Sequence, residues 1–320
     1  MRVFRIGTFV AVMILVSGWL VGADTIEQSF QVSAGGRLNV QADRASITVT
    51  TRAGNDASVT IIPKGWSVEE MQEDFTVDLH QSGNEIFVEL LARHRLSNWF
   101  GWNSHRIQIE AVIPEDFNVE LKTSGGGISV ADLTGDVRAE TSGGGISLGR
   151  IDGPVHAKTS GGSVELTSSK GDAELYTSGG NIKIGDVAGR IVSSTSGGSI
   201  TVERAEGEIQ AETSGGSIRV SEVYGSIDAR TSGGSVSAEL RSQPEGDCRL
   251  ETSGGNVNVR LAAGLQFDVD AKTSGGRVRT DVPVTVQGTV GKSHLEGRLN
   301  GGGPALYLRT SGGSISIESL

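Results

Sequence analysis

Cysteine is almost missing from this chain of 320 residues, where Cys248 stands alone. A single thiol closes no intramolecular disulfide, so rigidity has to come from packing and backbone hydrogen bonding. Aromatic side chains make up 5% of the residues and proline occurs six times. Large rings cannot fill the interior at that frequency, and aliphatic side chains must. Helical patterning is nearly absent; the one segment that reads as a helix is Ser67 to Asp74, opened by a Ser67/Glu70 capping box. Positive charge is also in deficit, with 28 Lys and Arg against 38 Asp and Glu. That balance argues against nucleic acid or anionic lipid as a partner.

The signatures of chemistry are missing as well. Asp-rich calcium repeats do not occur, acidic residues alternate with basic ones, and no Cys or His spacing fits a metal centre. His80, His94, His105, His156 and His294 read as surface residues. The serines of the Ser-Gly-Gly segments lack the strand-turn-helix setting of a hydrolase nucleophile. No catalytic residue, metal or cofactor is assigned, and the chain reads as non-enzymatic.

The only long apolar run lies at the start. Arg2 and Arg5 precede a stretch from Phe9 to Leu20, and Val21-Gly22-Ala23 offers small residues before Asp24. Residues 1–23 therefore read as a secretory signal peptide. An uncleaved anchor is the alternative, because the run approaches the roughly 18 residues that span a bilayer. No Cys follows Gly22, which excludes a lipid-anchored version. Cleavage would remove two Arg and no acid, leaving 26 basic and 38 acidic residues, a net charge of −12.

What is abundant is glycine, 47 residues, phased with a repeat. Thr-Ser-Gly-Gly occurs ten times, starting at Thr123, Thr141, Thr159, Thr177, Thr195, Thr213, Thr231, Thr252, Thr273 and Thr310. The first seven starts are 18 residues apart, and the later steps are 21, 21 and 37. A fixed short period means one small unit stacked on copies of itself, since so short a unit cannot bury an apolar face alone.

Each unit reads as two short strands of period two. Ile128 and Val130 alternate with Ser129; after a turn at Gly135, Val137, Ala139 and Thr141 alternate with Arg138 and Glu140. The inward columns begin Ile128, Ile146, Val164 and Val130, Leu148, Leu166. Stacked rungs would lie about 4.8 Å apart in register. The predicted fold is all-β, a single-chain right-handed parallel β-solenoid of about 18 residues per rung. Parity turns Thr123, Thr141, Thr159, Thr177, Thr195, Thr213 and Thr231 inward as a structural ladder, each bonding a neighbouring hydroxyl or turn amide. Cys248 shares the column of Val137 and reads as an inert buried thiol.

Two outward faces remain. The residues before each Thr, among them Lys122, Glu140, Lys158, Glu212 and Arg230, alternate in charge and read as a solvated face with rung-to-rung pairs. The other face carries Ser129, Ser147, Ser163, Ser199, Ser217, Ser235 and Asn181, Asn256, Asn258, a flat strip that is the candidate contact surface.

Residues 24–122 read as irregular N-terminal rungs with a capping hairpin, Phe75 to Leu79 and Ile86 to Val88 about Gly83-Asn84, and an aromatic loop. Trp99, Phe100 and Trp102 of that loop are candidate binding residues able to stack on sugar rings or touch a membrane; the alternative is that they cover the open core. Residues 123–320 read as the regular solenoid, with an insertion at 281–309 that is a loop or hairpin thrown out of one rung. Either that insertion covers the C-terminal end, or the end is an edge that invites self-association.

The Thr-Ser-Gly-Gly rungs, the lead-in Val112-Ile113-Pro114 to Leu121 and the closing Leu308 to Ile315 resemble the bacterial putative-adhesin family of β-strand repeat proteins. The resemblance spans most of the chain and implies a β-solenoid without associated catalytic residues. The resulting expectation is an exported, adhesin-like or cell-envelope scaffold, in the periplasm or at the cell surface, whose partner is an envelope or extracellular molecule such as a glycan. The alternatives are a carbohydrate-active β-helix enzyme, for which the aromatic loop is the only hint, a self-assembling periplasmic scaffold, and an ice-binding surface built on the outward serines.

Overall fold

A computed structural model describes residues 25–93, 106–286 and 291–320. The expected leader, residues 1–23, and the aromatic segment with Trp99, Phe100 and Trp102 lie outside the described residues. The chain is an all-β parallel solenoid. Its described strands form two sheets of fifteen strands each. Each regular rung gives one strand to each sheet. In the rung from Thr141, Ile146–Asp152 lies in sheet 1 and Val155–Lys158 in sheet 2.

Adjacent rungs pair parallel and residue for residue. Ile146 stands on Ile128 and under Val164, while Val155 stands between Val137 and Ala173. Equivalent side chains therefore superpose down the stack. Sheet 1 turns Ile, Val and Leu inward, and sheet 2 answers with smaller groups such as Ala139, Ala157, Ala211 and Ala229. Large against small lets two facing sheets close without voids. Each buried Ile or Leu contributes roughly 1.5–3 kcal/mol.

A third inward column escapes strict alternation. Leu133, Ile151, Val187, Ala205, Val223, Leu240 and Leu261 are all buried, with Ser169 among them. Period two counted from Ile146 and Leu148 would turn Arg150 inward. The alternation slips by one residue at Gly149-Arg150 instead, placing Ile151 in the core and leaving Arg150 exposed. Ser169 satisfies its hydroxyl on the carbonyls of Gly153 and Gly171.

The repeat threonines are buried, and each hydroxyl donates to a carbonyl rather than to another hydroxyl. From Thr141 to Thr231 the acceptor is the second glycine of the preceding rung, as in Thr195 to Gly180 at 2.9 Å. In several rungs the same oxygen also accepts the N–H of its own second glycine, for example Gly198 onto Thr195 at 3.3 Å. That glycine has no alternative. A Cβ at Gly198 would lie 2.0 Å from the carbonyl oxygen of Gly180.

The ends depart from sequence order. The N-terminal rung, Gly36–Ala42 with Ala45–Arg52, is threaded between the rung of Phe117–Thr123 and Ile128–Val130 on one side and Glu85–Ala92 with Arg106–Pro114 on the other. Beyond these lie antiparallel strands, Phe75–Ser82 in sheet 2 and Asp56–Lys64 followed by Ile26–Gln31 in sheet 1. A helix, Val68–Asp74, links the two layers, capped by Ser67 and Glu70 as its sequence indicates.

At the C-terminal end, sequence order would stack the rungs of Thr252, Thr273 and Thr310 in succession. The registers are instead Thr252 on Thr310 and Thr310 on Thr273. The last rung, Ala305–Thr310 with Ile315–Ser319, occupies a slot between its two predecessors. The insertion is thus an outward excursion that returns: His294–Leu299 pairs antiparallel with Phe267–Thr273, and Val284–Val286 pairs antiparallel with His294–Leu299. Sheet 2 is covered in this way. Sheet 1 ends on Val278–Thr280, a short strand flanked by Arg277 and carrying Arg279, which discourages edge pairing.

Candidate functional site

The corner between the sheets is the most regular surface of the molecule. Because each threonine points inward, the following serine must point out. Ser124, Ser142, Ser160, Ser178, Ser196, Ser214, Ser232, Ser253, Ser311 and Ser274 are all exposed. In rung order they form one file at about 4.8 Å spacing. The first glycine of each repeat is exposed beside its serine. From Gly161 to Gly254, six successive first glycines, and Gly312 after them, tie the file together, each N–H donating to the serine carbonyl of the preceding rung, as Gly197 does to Ser178 at 3.0 Å. The result is a ridge of hydroxyls and bare backbone without charge or bulk.

A shallow groove borders each side of this ridge near the N-terminal end. One, of about 420 Å³, runs along sheet 1 past Ser46, Thr48, Ser129, Ser147 and Ser163 and is floored where Gly127 and Gly145 carry no side chain. The other, of about 540 Å³, lies on the sheet 2 side between Asp43, Lys122, Glu140 and Lys158, with Ser124, Ser142 and Ser160 on its rim.

The serine strip read from the sequence separates into two columns. Ser129 and Ser147 belong to one that continues as Glu165, Lys183, Thr201, Arg219 and Ser237, so charged side chains interrupt its hydroxyls after two rungs. Ser199, Ser217 and Ser235 belong to its neighbour, which has glycine at positions 127 and 145. This second column is a structural ladder. Ser199, Ser217 and Ser235 each accept the N–H of the equivalent residue in the next rung at 3.1 Å, and Asn181 and Asn256 do the same through their amide oxygens at 2.8 Å. Oxygens committed to the backbone leave mainly their hydroxyl protons for a partner. The corner file, whose outward parity follows directly from the inward threonine, is the signal that the sequence reading passed over.

The outer face of sheet 2 is an ion-pair lattice. Many pairs join residues two apart on one strand, such as Lys122 with Glu120 and Arg138 with Glu140, both at 2.6 Å. Pairs also join neighbouring rungs, Arg230 with Glu251 at 3.9 Å and Arg309 with Asp270 among them. The Lys122 hydrogen bond holds the Glu120 carboxyl below the usual carboxylate range. On the far edge of sheet 1 the Arg150 N–H and guanidinium do the same for Asp132. A mixed-charge groove of about 440 Å³ crosses the sheet 2 face between Arg37, Arg138, His156, Asp172 and Glu174.

These charges are spread, not gathered. Among the described residues no group of three or more His, Cys, Asp or Glu could hold a metal ion. His80, His156 and His294 each lie beside one carboxylate, Asp78, Glu174 and Asp270. His94 and His105 lie outside the described residues. Cys248 is buried, and burial pushes its thiol up to about 11, so it carries no nucleophile at neutral pH. Of the strands that flank the aromatic segment, Leu90 shares a register with Thr123 through Ala42, and Ile109 with Ile128 through Ile47.

Several solved structures are similar. A putative cell adhesion protein from Clostridium sporogenes is 12% identical, with 93% of this chain and 100% of that one covered and a TM-score of 0.23. A putative adhesin from Bacteroides fragilis is 11% identical, with 93% and 97% covered and a TM-score of 0.30. A putative lipid binding protein from Parabacteroides distasonis is 10% identical over the same shares, at a TM-score of 0.26. No curated protein matches the chain. The family model Toastrack DUF4097 matches residues 36–318, from the threaded N-terminal rung through the threaded C-terminal one, and the chain belongs to that family.

Proposed function

We propose that this protein is an exported, non-enzymatic binding scaffold of the cell envelope that holds a linear, hydroxyl-rich polymer such as a glycan along its Ser-Gly corner. One observation carries the reading: ten exposed serines stand in a single file beside exposed glycines. A periodic file of small donors and acceptors suits a periodic ligand, because each successive unit of the polymer meets the same groups. The flanking grooves at the N-terminal end widen the surface where the ridge begins. The apolar leader and the acidic chain support export and argue against nucleic acid as the partner.

Sedimentation of the purified chain with isolated cell-wall glycan tests this. Replacing Ser142, Ser160 and Ser178 together by lysine puts bulk and charge on the ridge without entering the core. Binding is expected to fall at least tenfold while the unfolding midpoint stays unchanged. Binding that survives the triple replacement, or a native chain that sediments with no envelope fraction, removes the corner as the site. Protease treatment of intact cells, with lysed cells as control, separates the two locations: cleavage on intact cells places the scaffold at the surface, and protection until lysis places it in the periplasm.

A further inference from the structure

The threaded C-terminal rung has an unusual relation to its slot. The step from Thr231 to Thr252 is 21 residues and advances one rung, since those threonines are partners. The step from Thr252 to Thr273 is also 21 residues, yet it advances two, with Thr310 between. A connection of this length therefore serves either spacing. The two walls of the slot also match each other. Leu250, Val257 and Val259 on one side face the places that Ala271, Val278 and Thr280 hold on the other, in the same repeat positions. Without the last rung the walls can pair directly, so the slot need not stand open.

The rung that fills the slot is joined to the rungs before it through Asn300 to Pro304, where Asn300, Gly301 and Gly302 have φ of 48°, 98° and 90°. Three consecutive residues in the left-handed region, two of them glycine, make a hinge that can take up other conformations at low cost. Everything the rung contacts in its slot, from Cys248 and Leu250 to Val269 and Ala271, is presented identically by a second copy of the chain.

We propose that the C-terminal rung is exchangeable, and that two copies of this chain associate by placing Ala305–Ser319 of each in the slot of the other. The pairing in the slot is then unchanged and only the hinge differs, which is the condition under which domain exchange costs little free energy at equilibrium. Both orders are reached from one chain, because the outer rung leaves the ribosome before the rung that separates it from its neighbour.

Asn258 and Ser316 are partners across one wall of the slot. In a Cys248→Ala background, chains carrying Asn258→Cys are mixed with chains carrying Ser316→Cys and held under oxidising conditions at rising protein concentration. The expected product is a covalent heterodimer at least threefold above that from Asn258→Cys mixed with Ser129→Cys. Separately, deleting Gly301 to Gly303 shortens the hinge so that the rung cannot reach its own slot, and light scattering is expected to give twice the monomer mass. A mixture with no heterodimer above the control, or a folded hinge-shortened chain that stays monomeric, overturns the exchange.

Discussion

The middle and the ends of this solenoid are built from the same rung but joined in different ways. Between Thr123 and Thr252 every rung pairs with the one before it and the one after it in sequence. Contacts there are local, and stability accumulates from one neighbour to the next. At both ends the chain leaves a slot, travels outward and returns, or fills the slot first and returns past it. The partners are then distant: Ala42 pairs with Thr123, and Ala305 pairs with Asp268. A terminal rung in a simple stack is free to fray. Here each terminal layer is tied across a rung from elsewhere in the chain, so the ends borrow connectivity that the middle lacks.

The most damaging change to the middle is predicted at a second glycine. Gly198→Ala puts a Cβ 2.0 Å from the Gly180 oxygen, whereas Gly197→Ala meets the Gly179 oxygen at 3.2 Å. Denaturant titration is expected to show a loss of about 3 kcal/mol for the first and under about 1 kcal/mol for the second. Equal effects would mean that the corner backbone yields, and that the middle is softer than its register implies.

The junction of middle and end is probed by Cys248, which pairs in register with Leu306 of the threaded rung. Burial raises this thiol from 9.0 to about 11. The unfolded thiol ionises first, so the stability it contributes is complete below pH 9 and declines as pH rises toward 11. Relative to Cys248→Val, the native chain should lose about 1.4 kcal/mol for each pH unit in that window. A constant difference would show the thiol in contact with water.

Within the middle, Thr195→Val keeps the shape and removes the donor to Gly180. The expected loss is about 2 kcal/mol, because a partly buried carbonyl loses its donor. The same substitution at Thr273 in the outermost rung, which bonds Gly313 at 2.6 Å, should be milder, since the sheet 1 strand of that rung has a neighbour on one side only. Hydrogen exchange sharpens the contrast further. Amides of Ile315 and Ile317, though close to the chain end, are expected to exchange at least tenfold more slowly than that of Arg279, a difference of about 1.4 kcal/mol. The smallest effect is a gain: Ser193 is buried among alanine positions and its hydroxyl has no partner. Ser193→Ala should stabilise by about 1 kcal/mol.

Much of this is legible in the residues. Threonine parity, the Ile and Val columns, the Ser67 cap and the Gly83-Asn84 hairpin follow from local spacing, and the structure places each of them accordingly. The serine strip was only half legible. Ser129 and Ser199 look alike in sequence, but they sit two residues apart in the rung, on either side of the inward Ile, and the glycines at 127 and 145 hide the shift. Ile151 and its column were illegible to a period-two count because the alternation slips by one residue within the strand, as it does again after Leu166 and Val202.

By itself the sequence determined the rung: which residues turn inward, where the corners fall and why the second glycine allows no side chain. These are short-range matters, decided within a few residues by the alternation of a strand and the sterics of a turn. Tertiary structure alone decided the order of the rungs at the two ends. Each rung offers its neighbours the same carbonyls, amides and aliphatic side chains, so pairing energy hardly distinguishes one neighbour from another. The choice falls to what lies outside the repeat, the antiparallel layers of Asp56–Lys64 and Phe75–Ser82 at one end and of Val284–Val286 and His294–Leu299 at the other, which fix how far the chain travels before it turns back.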